Sequence, residues 1–364
     1  MGYKECTLPE YPQDSDMWDE LRCENRPIVV YGMGNGADKL FERLEKYGIT
    51  PSDIFASDGF VRGHSFRGMR VKSFSEIKEK YDDFVILLSF ASNRPEVIEM
   101  LAEINEKYDM YAPDMPIAGV EEYFDKDFYN EHIDEIRAAY DRLDDEESKN
   151  VFSSIIRYKL SGRMSYLLNC CSTKDELYSL FPKEDIKRVI DVGAYNGDTL
   201  REAQTYFPNL AEATLIEPDA KNYKRLMKYV STVEGINIDC IMAAASDRPG
   251  EALFASSGNR NSTVAATSSF EHKDTSVSLV TVDSLVRSAD YVKYDVEGAE
   301  YEALVGSHGT ILNSKPSLLV SLYHRSRDIF WLINYLGEKY PFYKMKLRRL
   351  YCIPAWEIDL ILTV

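Results

Sequence analysis

The sequence predicts an α/β protein of two units, each built around a mostly parallel, doubly wound sheet. Three observations carry this. Strand-like runs at 28–31 and 188–192 are each followed at once by a glycine-rich turn and then by a helical pattern. Parallel neighbours need such crossover connections, so strand, turn and helix in that order mark a parallel sheet. Further strand-like runs fall at 54–56, 84–88, 213–217, 237–243, 277–282, 290–296, 317–323 and 357–363. The 364 residues also exceed what one core ordinarily serves, which favours two domains over one.

The N-terminal unit is expected over residues 1–115. Its first ~20 residues are polar and are expected to wrap the surface or fray. The strand at 28–31 runs into Gly32-Met33-Gly34-Asn35-Gly36-Ala37. Leu40, Phe41 and Leu44 then recur at helical spacing, and Gly48 stops the helix. Strands follow at 54–56, ending near Asp58, and at 84–88; Asn93 and Pro95 open a helix carrying Val97, Ile98, Leu101 and Ile104. This is a smaller, Rossmann-like unit. Gly32, Gly34 and Ala37 form a G-x-G-x-x-A turn with Asp58 ending the next strand, a weak pattern that fits either a nucleotide site or a turn used for packing alone.

Residues 116–182 read as a helical connector. Ile133, Ile136, Tyr140 and Leu143 form one apolar stripe, and Val151, Phe152, Ile155 and Ile156 another. The acidic run Asp144-Asp145-Glu146-Glu147 between them reads as a solvated turn. The second α/β unit is expected over 183–364, with the stretch 251–270 as a hairpin or loop insertion.

Composition narrows the function classes. Lysine and arginine total 43 against 60 acidic residues, a formal charge of −17. Polyanions want basic grooves, so nucleic acid is excluded as the main partner, as is docking on an anionic membrane. A small-molecule or carbohydrate partner fits better, and acidity also serves solubility. None of the six cysteines forms a C-x-x-C pair, which argues for reduced thiols rather than a zinc site or a disulfide framework. The N-terminus lacks the apolar core of a secretory leader, and no apolar run approaches the ~18 residues of a membrane span. A cytoplasmic location is expected. Nothing in the sequence fixes an oligomeric state.

The most informative segment is Asp191-Val192-Gly193-Ala194-Tyr195-Asn196-Gly197-Asp198-Thr199. Its glycines let the backbone turn tightly against a ligand, or simply make a tight turn. Glu217 ends the next strand, where a carboxylate can accept hydrogen bonds from ribose hydroxyls. Asp191 stands where a pyrophosphate binder prefers a neutral residue. A carboxylate there repels phosphate and suits a cation, so the loop favours S-adenosylmethionine over NAD. Pro218 follows Glu217, Asp219 is placed to cap the next helix, and Asp198 and Thr199 to cap theirs. Ala245 and Ser246 close a strand where a flat base can lie. Gly258-Asn259-Arg260-Asn261-Ser262-Thr263 forms a polar loop, and Ser321-Leu322-Tyr323-His324-Arg325 ends a strand on the same edge. Parallel strands bring all these ends to one crevice.

Asp191–Thr199, Ile216-Glu217-Pro218, Val282-Asp283-Ser284-Leu285 and Lys293-Tyr294-Asp295-Val296-Glu297-Gly298-Ala299-Glu300 together resemble the FkbM-type methyltransferases over residues 185 to 325. The resemblance implies a class I methyltransferase-like doubly wound sheet, S-adenosylmethionine as methyl donor, and O-methylation of a sugar, glycan or secondary metabolite. Tyr195 departs mildly from it, replacing a small residue. Candidate donor-binding residues are Asp191, Gly193, Ala194, Tyr195, Asn196, Gly197, Asp198, Thr199, Glu217, Pro218, Ala245, Ser246 and Asp295. Candidate catalytic residues are His324, Asp295 and Glu297. Asp295 can orient the acceptor hydroxyl or meet the donor's ammonium, and Glu297 can do the same or hold a lid. Glu300 is accounted for as a helix N-terminal acid. His324 is either structural or a base near neutral pH. No third-ligand pattern marks a metal. Two other classes remain open: an NAD-dependent sugar oxidoreductase using the Gly32 turn, and a non-catalytic nucleoside-binding module.

Overall fold

The structure, a computed structural model, describes residues 6–9, 13–61, 63–118, 122–255, 263–264 and 274–364. Two sheets dominate it. The N-terminal sheet runs Ser65–Phe66, Met69–Ser73, Asp53–Ala56, Ile28–Tyr31, Val85–Leu88, Asp109–Tyr111 across its width. Every pairing is parallel except the hairpin at its edge. Ile28–Tyr31 and Val85–Leu88 are buried at every position, as unbroken apolar runs between two helical layers must be. The chain leaves the strand Ile28–Tyr31 toward Asp53–Ala56 and later returns on its other side, so the sheet is doubly wound.

The second sheet runs Lys344–Arg349, Ile358–Thr363, Ser317–Ser321, Tyr291–Tyr294, Arg188–Val192, Glu212–Ile216, Asn237–Ile241. Only Ile358–Thr363 is antiparallel to its neighbours. The register places Ile241, Ile216, Val192, Tyr294 and Val320 in one row across five strands. The residues that follow them emerge at a common edge. Winding reverses beside Arg188–Val192, and in such sheets the crevice for a ligand opens at that point.

The run at 277–282, expected as a strand of this sheet, belongs elsewhere. Asp274–Val280 pairs antiparallel with Gly250–Ala255 and parallel with Ala244–Ala245, in a small separate sheet. A strand pattern gives no information on its partner. Most of the expected insertion at 251–270, including 258–262, lies outside the described residues.

The connector packs against the C-terminal edge strand. Glu146–Ser161 starts at Asp145, whose carboxylate accepts from Ser148 N at 2.7 Å, and ends at Gly162 in the left-handed region (φ 65°). The acidic run before it is no solvated turn. Asp145 pairs at 3.0 Å with the buried Arg348, Glu147 pairs with it at 3.1 Å, and Asp144 accepts from Met345 N. These acids clamp the strand Lys344–Arg349. Phe152, Ile155 and Ile156 meanwhile join one apolar cluster with residues of both sheets.

The described N-terminal residues wrap and do not fray. Met17, Trp18 and Leu21 are buried, and Tyr129 donates to Pro9 O at 3.0 Å. Among the described residues no helix is long and apolar enough to cross a membrane, and no disulfide joins the cysteines.

Candidate functional site

A cavity of about 470 Å³ opens at the common strand edge. Its walls come from three parts of the chain. The second sheet supplies Gly193, Tyr195, Glu217, Lys293, Asp295 and Asp359; the connector supplies Ser172 to Lys174, Leu177 and Tyr178; the N-terminal unit supplies Asn93.

The turn after Arg188–Val192 is shaped by close approach. Gly193 has φ 97°, and a Cβ there would stand 1.9 Å from Asp295 O. Gly197 has φ 85° and faces the Tyr229 ring. Tyr195, between them, also takes a left-handed conformation (φ 46°), which directs its N–H to Glu217. Glu217 accepts from Tyr195 N and from Asp219 N, both at 2.8 Å. Two backbone donors thus fix a carboxylate that lines the cavity. Burial pushes its pKa up to about 7, against these hydrogen bonds, which lower it. Pro218 and Ala243 to Ala245 continue the same wall as a small-residue surface.

Asp219 caps Ala220–Val230 as expected, accepting from Lys221 N and Asn222 N. Asp198 does not cap its helix. It is the first helical residue of Asp198–Tyr206, the cap position falls to Gly197, and Asp198 Oδ1 accepts from Thr199 N at 3.1 Å. The Thr199 hydroxyl takes a hydrogen bond from Lys293 Nζ instead.

Lys293 is the functional residue that sequence reasoning missed. It sits in the strand Tyr291–Tyr294, its side chain 17 % exposed, and donates to Asp295 Oδ2 at 3.0 Å and Thr199 Oγ1 at 3.2 Å. Burial opposes its charge, but Asp295, Asp191, Asp198 and Asp359 around it hold its pKa well above the usual lysine value. The cue lay within the motif already singled out: a lysine inside an apolar strand needs acid partners.

Asp191 lies behind the cavity wall rather than on it. It is fully buried, burial pushes its pKa up to about 7, and neither oxygen completes a hydrogen bond of normal geometry. Its coupling to the cavity is electrostatic, through Lys293, Asp198 and Asp295. Ala194, Asn196, Gly197 and Ser246 also fall outside the lining. Ala194 is buried, Asn196 binds Arg201, and Ser246 turns toward Asp247.

Asp295 lines the cavity in the ionised form. Burial raises its pKa, but Lys293, His324 and Tyr323 lower it more, to about 2. Tyr323 donates to its Oδ1 at 3.2 Å. Glu297, in the left-handed region (φ 54°), lines the cavity as well, with Oε2 3.7 Å from His324 Nε2.

His324 takes another part than a base. It is wholly buried, outside the cavity lining, with Nδ1 2.9 Å from Glu300 Oε1 and Nε2 3.5 Å from Asp295 Oδ1. Burial disfavours its charge, but Glu300, Glu297 and Asp295 raise its pKa to about 10. An imidazolium already carrying its proton at neutral pH accepts none from a substrate. It holds the loop: Glu300 Oε1 also accepts from Val296 N at 2.9 Å, and the His324 carbonyl accepts from Ile117 N and Ala118 N.

The N-terminal glycine turn is packed by protein. A Cβ on Gly32 would meet Ser89 Oγ at 2.7 Å and Phe90 Cδ1 at 2.8 Å, and one on Gly36 would meet Ser89 O at 2.1 Å. Contact with the next strand's end accounts for those two glycines. Among the described residues no three metal-ligating side chains are grouped to hold an ion.

Comparison with known proteins follows this geometry. No curated protein matches the sequence. The crystal structure of methyltransferase FkbM from Methylobacillus flagellatus superposes with a TM-score of 0.70 at 18% identity, covering 99% of this chain and 95% of that one, so the two share their fold over both sheets. An rRNA methylase from Streptococcus thermophilus matches 52% of this chain and 91% of its own, at 13% identity and a TM-score of 0.33. The family model described as the methyltransferase FkbM domain matches residues 191–349. The matched residues carry the glycine turn, Glu217 and the Asp295 loop, and over them the chain is similar to that family.

Proposed function

We propose that this chain is an S-adenosylmethionine-dependent O-methyltransferase acting on a hydroxyl of a sugar, glycan or other metabolite. One observation carries the reading: Glu217, pinned by two backbone N–H groups at the end of its strand, offers its remaining lone pairs to a cavity with no phosphate-binding character. A ribose diol is a matching donor pair. The small wall from Ala243 to Ala245 suits the flat base beside it. The acids near Gly193, with Asp191 behind them, favour the positive charge of a sulfonium and an ammonium.

The donor supplies an electrophilic methyl group. Transfer breaks its S–C bond, forms a C–O bond to the acceptor and releases the hydroxyl proton. Holding oxygen, carbon and sulfur in line supplies most of the acceleration, worth about 7–11 kcal/mol where alignment is good. Asp295 and Tyr323 are placed to orient the acceptor, and the carboxylates on that wall take up its proton. His324 keeps Asp295 and Glu297 in position.

Calorimetric titration with S-adenosylhomocysteine tests the reading. Saturable binding to the native chain and its loss in Glu217→Ala are expected. No binding to the native chain, or equal binding to the variant, would overturn it.

A further inference from the structure

We infer that the acceptor carries a protonated amine beside the hydroxyl to be methylated, and that Asp359 with the neighbouring cavity wall recognises that amine. The inference rests on the methyltransferase reading and names the substrate class it leaves open.

The described cavity lining holds seven acidic side chains against two lysines. Both lysines are already engaged, Lys174 with Glu202 and Lys293 with Asp295. A donor with one net positive charge leaves most of the acidic surplus uncompensated. Four of the seven lie at the ends of two strands. Asp295 and Glu297 follow one strand, Glu357 and Asp359 open the antiparallel strand, and all four face one space. Asp359 is 5 % exposed, and among the described residues its carboxylate receives one long hydrogen bond of 3.5 Å, from Ser321 Oγ.

A second feature points to a cation. Tyr178, Tyr195, Tyr323 and Tyr351 line the same cavity. Carboxylates set among tyrosine rings are the surroundings an ammonium group prefers, through charge pairing and attraction to the ring faces. The acids also repel one another in the protein alone: burial first, then Glu357, Asp295 and Glu202, raise the Asp359 pKa to about 8 despite the opposing charge of Lys293. An arriving ammonium relieves that repulsion, whereas a phosphate or carboxylate adds to it.

The arrangement also bears on which atom is methylated. A protonated amine has no lone pair to attack the donor, so the wall that binds the nitrogen also withholds it from the reaction. The neighbouring hydroxyl oxygen forms the new C–O bond, the donor's C–S bond breaks, and the hydroxyl proton passes to a wall carboxylate.

The test titrates the full chain, saturated with S-adenosylhomocysteine, with glucosamine, N-acetylglucosamine and glucose 6-phosphate. Glucosamine is expected to bind about tenfold tighter than its N-acetyl counterpart, and the phosphate not at all. In Asp359→Asn the preference for the amine should fall below about threefold. Equal or tighter binding of either other probe, no binding of glucosamine, or an unchanged preference in Asp359→Asn would overturn the inference. Failure of S-adenosylhomocysteine to bind would instead strike the methyltransferase reading itself, so the two outcomes are distinct.

Discussion

Nδ1 of His324 lies 2.9 Å from Oε1 of Glu300, and both side chains are closed off from solvent. The contact joins the end of the strand Ser317–Ser321 to the loop that carries Asp295 and Glu297. Because His324 is charged, it gathers three carboxylates that would otherwise repel one another.

Replacing His324 with Gln should therefore cost about 3–5 kcal/mol, the usual penalty for leaving one partner of a buried ion pair alone. The folded-state pKa is raised from 6.5 to about 10. The stabilisation is complete below 6.5 and is lost as pH rises through 10. Urea melts of the native chain and His324→Gln should differ more at pH 6.5 than at pH 8 and converge as pH rises through 10. A difference that grows with pH would contradict the assignment.

Glu217 has the opposite consequence for ligand binding. Its pKa stands at about 7 in the protein alone, so at lower pH it is protonated and loses acceptor capacity. Affinity for S-adenosylhomocysteine should rise as pH passes upward through 7, while Glu217→Gln should bind weakly and without that dependence. Calorimetry across the range measures both.

The two glycine turns should respond differently to alanine. At Gly193 a methyl group would collide with Asp295 O, so Gly193→Ala should displace the loop and abolish nucleoside binding. At Gly34, also at positive φ (111°), a Cβ meets nothing within 4 Å. There the cost is backbone strain of about 1–3 kcal/mol, with binding retained. Thermal melts and calorimetry on the pair separate the two effects.

Lys293→Met removes the cation shared by Asp191, Asp198, Asp295 and Asp359. The remaining acids should take up protons on folding, making the variant more stable at acid than at neutral pH, the reverse of the usual carboxylate trend. Melts at pH 5 and 7.5 check this, the first lying two units or more below the raised carboxyl values of Asp191 and Asp359.

Much of the fold was legible because buried parallel strands announce themselves. The strands at 28–31, 188–192 and 317–321 are built on short apolar runs and stand where the sequence predicts them. Lys344–Arg349 was not legible. Its Lys-Met-Lys-Leu-Arg-Arg pattern reads as surface, yet Arg348 and Arg349 are buried. The acids that neutralise Arg348 lie about two hundred residues earlier, in the run that reads as a solvated turn.

The site divides in the same way. Glu217, Asp295 and the glycine turn were visible because local spacing places them. The charge of His324 was not, since it depends on three acids gathered only by folding. The connector's share of the cavity, from Ser172 to Tyr178, was invisible for the same reason: nothing local marks a helix as the wall of a pocket formed by other elements.

The central claim is that the cavity at the C-terminal strand edge takes a cationic, phosphate-free nucleoside. Native mass spectrometry of the chain incubated with equimolar S-adenosylmethionine and NADH measures this directly. The account predicts one S-adenosylmethionine retained per chain and no NADH; retention of NADH without S-adenosylmethionine would contradict it.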